Sequence, residues 1–339
     1  MISVVVVNWN RCDLLRGCLR SLAEQRGCGD GFEVIVVDNG SSDASAAMVE
    51  EEFPGVRLIR NRENRGFCAA NNQGIAAAAG AYVALLNNDA EAHPDWLAAL
   101  RRVFDAGGDI GMAASKILVW GEPDRIDKVG HLIYPDGQNR GRGSGELDRG
   151  QYDQVEDVLW PDGCAAMYRR AMLDEIGGFD EDFFAYADDA ELGLRARIAG
   201  WRCLYAPEAV VWHRRGATLG LASGRRLELI ERNRVLLAAK LFPWSLLWLN
   251  GVYFAMRIAA GIRASLNGKG ETKHYSGAMG KWVMAKSIVR GDWQALRLIP
   301  TMLRKRRELR RIRKLNGRQT RELLLRHRIS LRELSEGPL

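Results

Sequence analysis

Cysteines are few and none is spaced for partnership. The six, Cys12, Cys18, Cys28, Cys68, Cys164 and Cys203, contain no Cys-x-x-Cys pair, so neither a zinc ribbon nor a redox couple is indicated, and scattered thiols fit a reducing compartment. The first residues lack the basic start, long apolar middle and small-residue cleavage site of an export signal; Ile2 to Val7 reads as a buried strand instead. No Gly-x-Gly-x-x-Gly follows that strand, which excludes a dinucleotide-dependent dehydrogenase of doubly wound type. A Gly-rich loop bearing Lys or Arg, the usual grip for a triphosphate, is also missing there. The apolar stretch Leu241–Met256 is sixteen residues long, short of the roughly 20 that a spanning helix needs, and Pro243 and Asn250 interrupt it. Internal repeats are absent.

Acid is scarce in the last third. From Arg225 onward there are 26 Lys/Arg against 8 Asp/Glu, a net of +18 that leaves −11 for Met1–Gly224. An acidic body joined to a basic tail calls for an anionic partner: nucleic acid, anionic lipid or a pyrophosphate-linked substrate. The tail has few aromatics among its cations and no base-reading module before it, which argues against nucleic acid.

The 339 residues, 47% hydrophobic, suffice for one large domain with an appendage, or two domains. Apolar runs at 2–7, 32–37, 56–59 and 82–86 read as strands. Helical spacing at 14–22, 44–52 and 71–79 alternates with them, so an α/β fold with a mainly parallel sheet covered on both faces is expected. Each strand ends in polar residues, Asn8-Trp9-Asn10, Asp38 to Asp43 and Asn87-Asn88-Asp89; carboxyl strand ends are where open sheets bind ligands. Residues 120–157 have weak periodicity and read as loops with a short strand pair, a mobile segment. Short strands are expected at 163–168, 203–205 and 210–213, and helices at 171–176 and 188–199. Aromatics crowd Leu241–Met256 between Lys240 and Arg257, which suits a helix in the membrane interface. Leu303, Leu309, Ile312 and Leu315 recur among the cations of 304–332, the pattern of a basic amphipathic helix on a membrane surface.

An Asp after a strand commonly serves as a turn residue or helix cap, and paired carboxylates at a helix start favour its dipole. Taken together, the order and spacing say more. The stretches Val5–Asn10, Val36–Asp43, Asn61–Phe67 with Asn71-Asn72, Leu85–Asp89, Gly163–Met167, Gly177–Glu181, Phe183–Leu192 and Val211-x-His213 resemble the family-2 glycosyltransferases of GT-A fold, among them the bacterial rhamnosyltransferase-like group, over residues 2–235.

The resemblance implies a GT-A type, Rossmann-like mixed sheet in a domain at 1–235. A nucleotide-sugar half would span about 1–110 and an acceptor half about 111–235, with a basic, partly apolar helical region at 236–339 that associates with membrane. Asn8, Asn10, Asp38, Asn39, Arg65, Gly66, Asn71 and Asn88 would bind the nucleotide-sugar. Asp89, last carboxylate of a DxD-type motif whose first is replaced by Asn87, would hold Mg²⁺ or Mn²⁺; His213 would be a further ligand or a diphosphate contact. Asp189 would be the base and Asp188 its neighbour, the charge of each raising the pair's pKa. Trp160, Asp162 and Gly163 would shape the acceptor pocket. Direct attack would invert the anomeric centre. The expected donor is dTDP-rhamnose, then a UDP-sugar; the acceptor is a lipid-linked glycan at the cytoplasmic face of the inner membrane, and an oligomer is open. The alternatives are a nucleotidyltransferase acting on a sugar phosphate and a non-enzymatic basic-tail binding protein.

Overall fold

The structure is a computed structural model that describes residues 1–216, 223–267 and 277–337. Ile2–Asn8 (β1), Phe32–Asp38 (β2), Arg57–Arg60 (β3) and Tyr82–Leu86 (β4) form a parallel ladder in the order β4-β1-β2-β3. Helices Cys12–Ala23 (α1), Ser45–Glu52 (α2) and Phe67–Ala77 (α3) make the crossovers. Val4 and Val6 enter one apolar cluster, Val5 the other, and all three are fully buried. Both faces of the sheet are covered, which is why these strands read as unbroken apolar runs.

The second half extends this sheet. Ala90–Ala92 (β5), helix Trp96–Val103 (α4), Ile110–Val119 (β6), Glu122–Lys128 (β7), His131–Ile133 (β8), Asn139–Gly141 (β9), Glu156–Asp157 (β10) and Ala165–Arg169 (β11) come next. Helices Arg170–Ile176 (α5) and Asp188–Ile198 (α6) precede strand Arg202–His213 (β12). The order is β10-β12-β6-β11-β4-β1-β2-β3, with β5 on β12 and β7 on β6; β11 runs antiparallel to both neighbours, so the sheet is mixed. The segment at 120–157, expected as loops with a short strand pair, carries such a pair in β8 and β9, and β7 and β10 besides. Its register shifts against β6 break the alternation that would have marked β7. The two short strands expected at 203–205 and 210–213 are one strand with a shift between Ala206 and Val210.

Gly224–Leu241 (α7) runs through residue 235 and is followed by Trp244–Leu247 (α8), Asn250–Leu266 (α9), Gly277–Glu308 (α10), Gly317–Arg326 (α11) and Leu331–Glu336 (α12). Leu237, Phe242, Met302, Leu309 and Leu323 belong to the same apolar cluster as Val5 and Ile35, and Ile312 and Leu315 pack against it. The apolar face expected to lie on a membrane at 303–315 is therefore turned largely into the protein. Much of the tail's charge is also spent internally. Lys240 Nζ sits 2.6 Å from both Asp180 and Glu191, Lys305 reaches Asp180 and Asp182, and Arg257 pairs with Asp136 at 2.6 Å and Glu231 at 2.7 Å. The acidic body is in part the anionic partner that the basic region calls for. Among the described residues no helix is long and apolar enough to cross a membrane.

Removing one member of a buried ion pair strands the other. Lys240→Ala leaves Asp180 to Lys305 and Glu191 to Arg195 alone, and a loss of about 2–3 kcal/mol is expected in urea unfolding. Arg318→Ala, which breaks an exposed pair with Glu322, should leave the midpoint nearly unchanged.

Candidate active site

The carboxyl ends of β1, β2 and β4 bring three polar residues into one bonded group. Asn8 pairs in register with Asp38. Its amide donates to Asp38 Oδ1 at 3.3 Å and to Ser41 Oγ at 3.2 Å, while its oxygen accepts from Asn88 Nδ2 at 2.7 Å. Left-handed backbone at Asn10 (φ 58°) and Arg11 (φ 72°) turns the chain back, and Asn10 Oδ1 accepts from the Ser42 amide at 2.9 Å. Asn39 is buried and accepts from the backbone N–H of Arg65 at 3.1 Å, which leaves the exposed Arg65 side chain outside this network. Gly66 (φ 86°) has no room for a side chain: a Cβ there would come within 2.5 Å of the Phe184 ring. Asn71 stands apart, since it is buried and donates to Phe67 O in its own helix at 2.9 Å.

Asp188 and Asp189 open α6 after a strained loop. Phe184, Tyr186 and Ala187 all have positive φ, 63°, 69° and 55°, a costly conformation for non-glycine residues. The loop is held from α7: Asn233 Nδ2 lies within hydrogen-bond distance of the carbonyls of Phe183, Ala185 and Tyr186, and Arg232 donates to Asp182 and Phe183. Asp189 Oδ2 accepts the Gly163 N–H at 3.3 Å and lies 3.5 Å from His131 Nε2. His131 is 2.8 Å from Asp162 Oδ2, which also takes Lys128 Nζ at 2.6 Å. Trp160, fully buried, stacks behind the His131 ring. Burial raises the pKa of Asp189 despite the opposing charge of His131. Burial, then the charge of Asp189, raises that of Asp188 well above the carboxylate range. Desolvation, more than mutual repulsion, thus drives the expected shift.

The two halves meet at the end of β7. Asp127, fully buried, lies 2.7 Å from His213 Nδ1, and His213 Nε2 stands 3.4 Å from Asp89 Oδ1. The next residue is Lys128, on Asp162. Two side-chain chains therefore meet at adjacent residues of one strand: Asp89, His213 and Asp127 on one side, and Lys128, Asp162, His131 and Asp189 on the other. Residues 3–177, just over half of the chain, match the description Glycosyl transferase family 2. The chain belongs to that family. It is 29% identical over 230 residues to the N-acetylglucosaminyl-diphospho-decaprenol L-rhamnosyltransferase of Mycobacterium tuberculosis H37Rv, covering 59% of this chain and 71% of that one. It is 28% identical over 239 residues to the uncharacterized protein y4gI of Sinorhizobium fredii, of whose length it spans only 25%. Among solved structures, the mannosyltransferase PcManGT from Pyrobaculum calidifontis, in complex with GDP-Man and Mn²⁺, superposes with a TM-score of 0.53 at 21% identity, covering 87% of this chain and 86% of that one. The sheet and its flanking helices share the GT-A fold of this neighbour.

Two groups of ligand atoms could receive the divalent ion that a family-2 fold implies. His131, Asp162 and Asp189 offer atoms within 4.8 Å of one another, but Lys128 already supplies the cation there. Asp89 and His213 fit better. Asp89 Oδ1 is buried with no hydrogen-bond partner, and His213 has its Nδ1 fixed by Asp127, the carboxylate–histidine arrangement that leaves Nε2 for a metal. Burial pushes the His213 imidazole down, but neighbouring Cys164, Asp127 and Asp89 outweigh it and hold its pKa well above the ordinary value, so a metal at Nε2 would have to displace a proton.

Asp127, Lys128, His131 and Asn233 are site residues that sequence reasoning missed. Their signal was local: three charged or ligand-type residues set among the apolar Ile126 and Val129, and a polar run Glu231–Arg234 between the apolar Leu229-Ile230 and Val235–Leu237. Asn233→Ala deprives the Ala185 and Tyr186 carbonyls of their donor and leaves Phe183 O to Arg232 alone. It is expected to lower kcat about tenfold with donor KM nearly unchanged, because reacting groups lose alignment while the nucleotide half stays intact; steady-state kinetics checks this.

Proposed function

We propose that the chain transfers a sugar from a nucleoside-diphosphate donor to a hydroxyl of a lipid-linked saccharide, with inversion, at the cytoplasmic face of the inner membrane. The observation that supports this reading is the pair of side-chain chains that start from adjacent residues of β7, Asp127 towards Asp89 and Lys128 towards Asp189. Asp89 and His213 are then the metal-type ligands of the site, and Asp189 is its buried carboxylate of raised pKa.

In this reading Asn8, Asp38, Asn39 and Asn88 hold the base and ribose at the strand ends, with Arg65 and the bare Gly66 backbone close by. The acceptor oxygen attacks the anomeric carbon, the bond to the diphosphate oxygen breaks, and the hydroxyl proton passes to Asp189. Gly163 and His131 fix the carboxylate. When bound at Asp89 and His213, a divalent cation supplies positive charge for the diphosphate leaving group. The mycobacterial relative, whose name joins an L-rhamnosyl group to a decaprenol-linked diphospho-sugar, favours dTDP-rhamnose and a polyprenyl-diphosphate acceptor, with a UDP-sugar next. The complex of PcManGT with GDP-Man and Mn²⁺ supports a nucleotide-sugar and a metal.

Asp189→Asn should bind donor as before and lose roughly 10²–10⁴-fold in kcat. A base of raised pKa is protonated sooner as pH falls, so the acidic limb of kcat/KM should lie above the ordinary carboxylate range. Product analysis should find free nucleoside diphosphate that forms only with metal; pyrophosphate as product would point to nucleotidyl transfer instead.

A further inference from the structure

A cleft whose lining shares no residue with the candidate active site is left unused by the proposed chemistry. It lies between α8, the end of α10 and the start of α11 and has a volume of about 420 Å³. Arg306, Arg307, Arg310 and Arg313 line it together with Trp244 and Leu303. Among the described residues none of these four arginines pairs with a carboxylate. Arg306 donates to Ala239 O at 3.2 Å, and Arg313 to Leu315 O at 3.1 Å. Elsewhere in the same region Lys240, Lys305, Arg234 and Arg257 all rest on acids. Burial, then the charges of Arg313 and Arg310, lowers the pKa of Arg306. Four guanidinium groups held together without a counter-charge form an anion site, and their planar forks match phosphate oxygens.

The surroundings say what carries the anion. Trp244 is 59% exposed with the Arg306 guanidinium 4.7 Å over its ring, and Trp248, one turn on, is 82% exposed. Of the sixteen large exposed hydrophobic side chains among the described residues, twelve lie between Trp244 and Leu296. On α9 they form a stripe, Val252, Met256, Ile262 and Leu266; on α10 Trp282, Val289, Trp293 and Leu296 do the same. Arg297 covers the Trp293 ring at 3.6 Å and Lys286 the Trp282 ring at 4.5 Å. From Leu241 to Arg307 the sequence has twelve Lys/Arg and two acids, and one of those, Asp292, is bound to Arg234. A free phosphate has no use for such an apolar border; a phospholipid does.

We propose that the arginine cleft receives the phosphate of a phospholipid in an anionic bilayer, with Trp244, Trp248 and the α9 stripe lying against its apolar part. The site rests on the membrane placement proposed above but not on the chemistry at Asp189. It also places membrane contact on α8, α9 and the arginine side of α10, not on the apolar face of 303–315.

The full chain is floated with vesicles of phosphatidylcholine alone or with phosphatidylglycerol. Binding is expected only with the anionic lipid, and R307E/R310E should weaken it about tenfold, more than R321E/R332E, which changes net charge equally. R307K/R310K keeps the charge but loses the forks and should weaken binding about threefold; it also serves if the reversal variant fails to fold. Trp244→Ala should weaken binding with charge untouched. Equal losses from the two charge-reversal pairs would reduce the effect to diffuse charge and overturn the site. So would inorganic pyrophosphate, titrated calorimetrically, if R307E/R310E abolished its binding while vesicle binding persisted. Loss of a dimer in R307E/R310E with flotation unchanged would make the cleft an interface between copies and overturn it as well. Donor hydrolysis is assayed on every variant: if it persists while wild-type protein ignores vesicles, the lipid site fails and the transfer reading stands.

Discussion

Asp127 and Lys128 leave the end of β7 for opposite neighbourhoods, and neither charge can be buried without a partner. Asp127 is fully buried on His213 and Arg215; Lys128 finds Asp162. Burial opposes both charges, yet the attraction of their neighbours wins, lowering the pKa of Asp127 and raising that of Lys128. Because adjacent residues of a strand point to opposite faces, one backbone element fixes the histidine beside Asp89 and the carboxylate beside Asp189. The proposed metal side and base side are thereby held in one frame rather than on separate loops.

The same rule, that buried charge must be paired, explains why the C-terminal helices belong to the body. Lys240, Lys305 and Arg257 neutralise Asp180, Glu191, Asp182, Asp136 and Glu231, and Asn233 binds the strained loop that presents Asp188-Asp189. Strain in Phe184, Tyr186 and Ala187 persists because α7 over-determines the loop from outside. The arginines beside Trp244 rest on no carboxylate among the described residues and leave charge over for a partner.

The parallel half of the fold is legible because double-faced burial writes an unbroken apolar run, as in Val4–Val7 and Val34–Val37. The strand-end residues Asn8, Asp38 and Asn88 follow from those runs, and the structure bonds them together. Strand β7 is not legible: it pairs through irregular register, and its charged residues look like a solvated loop until their partners, 34 and 86 positions distant, are known. Strand β6, inside the sheet between β12 and β11, is absent from the strands the pattern predicts. Asn71 reads as a donor contact from its place in a motif, yet its amide is spent on its own helix. The basic amphipathic pattern at 303–315 was real in period, but periodicity does not tell whether protein or lipid covers the apolar face.

The division of labour at β7 is the most direct test. Mn²⁺-dependent donor affinity and kcat would be measured together for Asp127→Asn and Lys128→Met. The account predicts that the first weakens metal-dependent donor binding, while the second leaves that binding intact and lowers kcat. If both variants shifted the same parameter to the same extent, the claim that one strand holds two separate halves of the site would be contradicted.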